Sequence, residues 1–233
     1  MTSISQNLAL VQERIAAAAA KSGRRPEDIC LVAVTKTVPP ERIKEALAAG
    51  VQHIGENRVQ EAAAKIESIP SGVTWHLIGH LQRNKAKQAI QIFDLIHSLD
   101  SLRLAKMLQK RAKELERTVN CLVEVNVAGE ESKHGIIPDQ LLPLLRQVSL
   151  LPQLSVRGLM TVAPYVKDPE EVRPIFRQLR EMAHEIDKLK LPGVSMEELS
   201  MGMSGDFEVA IEEGATMVRV GSAIFGARDY SEN

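Results

Sequence analysis

From residue 29 to residue 222 two hydrophobic patterns alternate without a break, and no other feature of the chain constrains its fold as strongly. Short apolar runs rich in β-branched residues fall at 29–36, 52–57, 74–79, 94–99, 120–128, 154–162, 194–203 and 216–222. Segments with helical spacing lie between them at 40–49, 58–68, 84–92, 101–117, 138–149, 169–189 and 205–213. Several of these open on helix-start signals: Pro39-Pro40-Glu41, Ser101, Pro138-Asp139 and Pro169-Glu170-Glu171. Strands and helices alternating through short connections predict a parallel sheet with right-handed crossovers. Eight strands are the number that closes a (β/α)₈ TIM barrel. The competing open, doubly wound sheet would want a Gly-rich dinucleotide turn after its first strand, and none is present. Residues 3–22 add an amphipathic N-terminal helix, with Ile4, Leu8, Val11 and Ile15 at helical spacing and Gly23 as its stop. No linker, repeat or low-complexity block divides the chain, so residues 1–233 are expected to form one α/β domain.

Composition narrows the function. A formal net charge of −1 gives no electrostatic case for nucleic acid or an anionic membrane surface. No apolar run approaches a membrane span, and the N-terminus lacks a basic-then-apolar leader, so a cytoplasmic location is expected. Cys30 and Cys121 sit in strand-like runs without metal-ligand spacing and read as buried reduced thiols. His76 and His80 are four residues apart, but a strand places such side chains far apart along its axis. With no Cys or carboxylate to complete a set, no metal site is predicted. His53, His97 and His184 form no constellation in the sequence.

In a (β/α)₈ barrel functional groups lie at the C-terminal ends of the strands. The first strand ends at Lys36, and Pro39-Pro40 turn the chain into a helix. An amine at the mouth of a buried strand either snorkels to solvent or, desolvated, forms a Schiff base with an aldehyde or ketone. The seventh strand runs into Gly202, Ser204 and Gly205, and the eighth into Gly221 and Ser222. Small residues let backbone N–H groups approach an anion, and the loops after strands 7 and 8 are the usual phosphate site of such barrels. The plainer alternative is two ordinary turns. Arg219 lies inside the eighth strand and cannot deprotonate, so it needs either an ion pair, with Glu56 or Asp206, or a ligand's ring nitrogen or phosphate. An amine, a phosphate cradle and an arginine converging on one barrel mouth point to a phosphorylated aldehyde, pyridoxal 5′-phosphate (PLP).

The blocks AVTKTV, HIGENRVQE, WHLIGHLQRNK, SLDS, VNVAGEESKHG, RGLMTVAP, LSMGMSGDFEVAI and VRVGSAIFG, spread over nearly the whole chain, resemble the pyridoxal phosphate homeostasis protein family. The resemblance implies the barrel of the alanine racemase N-terminal domain, PLP fold type III. It also implies that Lys36 forms the internal aldimine with PLP. Ser204, Gly221 and Ser222, with Ser200 as a further member, are implied as the phosphate loops; Arg219 as the group facing the pyridine nitrogen; and Asn57 as a neighbour of the cofactor. The family's role is PLP (vitamin B6) homeostasis without robust catalysis, with transient contact with apo-PLP enzymes left open. A small PLP-dependent amino-acid racemase is the alternative function, and a cofactor-free class I aldolase using Lys36 a third. The racemases add a β-domain whose tyrosine crosses a dimer interface. Here the only tyrosines are Tyr165 and Tyr230, and a monomer is expected.

Overall fold

The computed structural model describes residues 3–130 and 132–226. Eight parallel strands close into a barrel in sequence order. They are β1 (Cys30–Val34), β2 (His53–Glu56), β3 (Thr74–Leu77), β4 (Leu95–Leu99), β5 (Val119–Glu124), β6 (Leu154–Met160), β7 (Val194–Ser200) and β8 (Met217–Val220). The closing seam is β1 against β8, where Val32 lies opposite Arg219; on its other side Val32 faces His53 of β2. All eight strand-like runs of the sequence thus become strands, and all but β4 are shorter at the C-terminal end than the apolar pattern suggests. The residues beyond that end turn over the barrel mouth.

The strands are covered by α2 (Pro40–Ala48), α3 (Val59–Lys65), α4 (Ala86–Ile92), α5 (Leu102–Glu114), α6 (Leu141–Val148), α7 (Arg173–Asp187) and α8 (Phe207–Glu212). Local chemistry sets their starts. Pro40 occupies the first position of α2, where its missing N–H costs nothing. Ser101 Oγ accepts from the Leu104 N–H to cap α5. The main apolar core lies between strands and helices; Leu108 of α5 and Phe176 and Leu179 of α7 are fully enclosed there. Burying such a side chain contributes about 1.5–3 kcal/mol. A second, smaller cluster of Leu95, Leu122, Met160 and Met217 packs separately. By strand alternation Met217 shares the inner face of β8 with Arg219, so this cluster plugs the barrel below the arginine.

The extra helix α1 (Ile4–Lys21) begins with a capping box between Ser3 and Gln6 and buries Ile4, Leu8, Val11, Ile15, Ala18 and Ala19. It is tied to the last βα unit. Asn7 donates to the Ile224 carbonyl at 2.9 Å, and Arg24, just past the helix, donates to the carbonyls of Ala215 and Ile211. A four-residue helix that the sequence pattern did not announce, α9 (Ser222–Phe225), follows β8.

Candidate functional site

A cavity of about 390 Å³ opens at the C-terminal mouth of the barrel. Lys36, Asn57, Ser204, Arg219, Gly221 and Ser222 all line it, which is six of the seven residues expected there. The seventh, Ser200, does not. It is fully buried, and its hydroxyl stands behind the arginine rather than in the cavity.

Lys36 leaves the end of β1 through a sharp turn. The next residue, Thr37, adopts φ of 62°, an uncommon conformation for a β-branched residue. Contacts on both sides hold that turn. The Thr37 N–H donates to the Glu61 carboxylate and its hydroxyl to the Lys36 carbonyl, while the Thr35 hydroxyl donates to Glu56 at 2.6 Å. Lys65 closes the set from α3, donating to the Thr35 carbonyl, Glu56 and Glu61, each at 2.8 Å. Glu56 is therefore committed to Lys65 on the outer side of the barrel and is not available to Arg219. Its burial still pushes the Glu56 carboxyl up, against the pull of Lys65 and Thr35. Beside it, Asn57 is fixed by a close backbone approach, since a Cβ on Gly79 would fall 2.4 Å from the Asn57 carbonyl oxygen.

The loops after β7 and β8 interlock. Ser204 Oγ accepts from the N–H groups of Gly221 at 3.2 Å and Ala223 at 3.4 Å. Asp206 closes its own turn by accepting from the Met203 N–H at 2.6 Å. Gly202 makes that turn possible: its φ is 93°, and a Cβ there would meet the Ala210 Cβ at 2.7 Å. Hydroxyls and backbone N–H groups thus gather at one side of the cavity, opposite no carboxylate but Asp206, which the turn itself employs.

Arg219 is 4% exposed. It donates to Ser200 Oγ at 2.6 Å and to the Thr161 carbonyl at 2.8 Å, so neither Glu56 nor Asp206 is its hydrogen-bond partner. Burial pushes its pKa down to about 10, with the charges of Glu124 and Asp206 opposing, so the guanidinium stays charged at neutral pH. Two N–H groups are used by neutral acceptors, and the side chain also lines the cavity.

Three groups of residues escaped the sequence reading. His53, His76 and His97 are joined edge to edge inside the barrel, with ring-nitrogen separations of 3.0 and 2.9 Å. Their signal was position: they lie on the inner faces of three successive strands, β2, β3 and β4. Glu124, at the end of β5, is 7% exposed, and burial and the nearby Asp100 push its carboxyl up to about 7. It lines a neighbouring cavity that shares Asn57, Ile78 and Val162 with the first. Finally, His80 sits 3.0 Å from Asp100 and stacks on His134, and these three bring potential ligand atoms within 4.8 Å. The partners come from other loops, which a reading of spacing along one strand cannot reveal. Arg83, Arg103 and Lys133 line the same hollow and oppose a cation there. Of the two thiols, Cys121 is buried and Cys30 half-buried; neither is in a disulfide. Tyr165 stands at the rim of the first cavity, 95% exposed, and Tyr230 lies outside the described residues. Among the described residues no helix is long and apolar enough to cross a membrane.

Comparison with known proteins agrees with the fold. The family model for the alanine racemase N-terminal domain matches residues 6–229. A pyridoxal phosphate homeostasis protein of Aquifex aeolicus (strain VF5) is 47% identical over 226 residues, covering 97% of this chain and 98% of its own. The solved structure of PipY from Synechococcus elongatus PCC7942, with PLP bound, is 41% identical with a TM-score of 0.83, covering 96% of this chain and all of its own. An alanine racemase of Clostridium difficile 630 shares the fold at 16% identity and a TM-score of 0.76, over 97% of this chain and 58% of its own.

Proposed function

The chain belongs to the pyridoxal phosphate homeostasis protein family, and from that membership we propose that its mouth cavity binds PLP, with the Lys36 amine linked covalently to the cofactor's aldehyde. The observation that carries the proposal is the convergence of Lys36, the Ser204 and Gly221-Ser222 loops and Arg219 on one cavity of about 390 Å³. Each supplies what one part of PLP requires. A lysine amine condenses with an aldehyde. Ser204 and Ser222 offer hydroxyl donors to a phosphate, in a hollow that a Cβ on Gly221 would narrow by standing 3.3 Å from the Val34 Cβ. Arg219 offers N–H groups, and no acceptor, to the ring nitrogen.

When bound, PLP brings an aldehyde and a pyridine ring that withdraws electrons strongly once its nitrogen is protonated. Arg219 cannot act as the carboxylate that would keep that proton in place. This supports a carrier over an enzyme, as does the homeostasis role in the names of the relatives. Tyr165, at 95% exposure, is not held where a second acid–base group would have to stand. The full reading is one barrel domain that buffers PLP inside the cell, acts as a monomer, and meets apo-PLP enzymes only transiently. The test is direct. Purified protein mixed with PLP should develop a visible absorbance band, and Lys36→Ala should lose it while keeping its far-UV circular dichroism. A protein that reacts with carbonyl substrates but gives no band with PLP would instead be a cofactor-free aldolase.

A further inference from the structure

The three buried histidines, Ser200 and Arg219 are connected in one line. Arg219 donates to Ser200 Oγ at 2.6 Å; Ser200 Oγ lies 2.9 Å from His97 Nδ1; His97 Nε2 lies 2.9 Å from His76 Nδ1; and His76 Nε2 lies 3.0 Å from His53 Nδ1. One end of the line is the arginine at the mouth cavity. The other is half-buried His53, which lines a separate cavity of about 580 Å³ at the opposite, N-terminal face, beside Leu8 and Gln12 of α1.

The direction of this line follows from donor arithmetic. A guanidinium has no acceptor, so the Arg219–Ser200 bond uses a lone pair of the serine. Ser200 is fully buried, and its own O–H proton must therefore go to another acceptor. Among the described residues the acceptor within reach is His97 Nδ1. An imidazole that accepts on Nδ1 while neutral carries its proton on Nε2, and it then donates to the next ring's Nδ1. The same step repeats from His97 to His76 and from His76 to His53.

We infer that Ser200, His97, His76 and His53 form a single oriented relay, every imidazole neutral with its proton on Nε2, that presents the Ser200 oxygen to Arg219 as a pure acceptor. Burial, first of all, holds the pKa of all three rings low, that of His76 at about 3, which agrees with neutral rings at pH 7. The aligned dipoles of the relay turn their negative end toward the guanidinium. They stabilise a buried cation whose nearest carboxylates, Glu124 and Asp206, act only from a distance. Ser200 and the three histidines are thus positioning residues: they fix two features of Arg219, its orientation and the donors it leaves for the cavity, without touching a ligand. The inference does not depend on which ligand the cavity takes.

Nitrogen-15 NMR of the imidazoles, in the full-length ligand-free protein at pH 7, tests it. Assignment by His53→Asn, His76→Asn and His97→Asn should identify three neutral rings, all in the Nε2–H tautomer. A ring of the three with its proton on Nδ1, or a charged one, would overturn the relay. Ser200→Ala removes the group that sets the direction, so His53, which touches neither Ser200 nor Arg219, should change to a mixture of tautomers. Ser200→Thr keeps the hydroxyl and should keep the wild-type pattern. An unchanged His53 tautomer in Ser200→Ala would show that each ring is set locally. The wild-type spectrum decides the question alone if the alanine variant does not fold.

Discussion

Replacing Glu124 with glutamine tests the electrostatics of the barrel mouth through stability, with no ligand involved. The Glu124 carboxyl is pushed from 4.5 up to about 7, first by burial and then by the charge of Asp100, against an opposing pull from Arg219. Between those two pH values the folded protein retains a proton that the unfolded chain has lost. Stability must therefore fall as pH rises from 4.5 through 7, and the protonated form is fully favourable only below that window. The gap corresponds to about 3 kcal/mol, of which ~2–3 kcal/mol is lost between pH 5 and pH 8. Glutamine is nearly isosteric with the protonated acid and does not titrate. Urea unfolding of both proteins at pH 5 and pH 8 should show the wild type losing about 2–3 kcal/mol relative to Glu124→Gln. Groups common to both, such as Asp206 and Glu56, cancel in that comparison. Stability curves that run parallel to within about 0.5 kcal/mol would mean that Glu124 ionises normally and that its enclosure does not act as described.

Ser204→Ala and Ser222→Ala should each weaken PLP binding more than pyridoxal binding, by roughly 1.5–3 kcal/mol for a lost hydrogen bond to a charged group; equal losses in fluorescence titrations would remove these loops from phosphate binding. The PLP-loaded wild type should exchange the α-hydrogen of common L-amino acids with deuterated solvent negligibly, as followed by NMR, because Arg219 leaves the ring a weak electron sink. Arg219→Glu should raise that exchange if it still binds PLP, whereas wild-type turnover of about 1–10³ s⁻¹ would establish the racemase alternative.

The barrel was legible because its pattern is repeated: eight buried runs separated by helices leave few topologies, and Lys36, Ser204, Gly221 and Ser222 then fall at strand ends. Arg219 was legible as a buried cation that needs partners, but its partners were not. Glu56 looked available from the sequence, yet it points outward to Lys65, because adjacent strand residues face opposite sides. Ser200 was placed with the phosphate loops by the family resemblance alone. It is the last residue of β7 and still belongs to the barrel wall, so its hydroxyl serves the interior. The histidine relay was invisible to spacing along the chain, since its members sit on different strands and meet only when the barrel closes. The same holds for His80, Asp100 and His134, which three separate loops bring together.

The most direct test of the central claim is to reduce the PLP-loaded protein with borohydride and map the labelled peptide by mass spectrometry. Reduction converts an imine to a stable secondary amine, so the attached residue is identified without relying on a mutant. The account predicts one pyridoxyl-phosphate label, on Lys36 of the AVTKTV segment. Label placed wholly on another lysine, such as Lys133 at the neighbouring cavity, or no label at all under conditions that give the visible band, would contradict it.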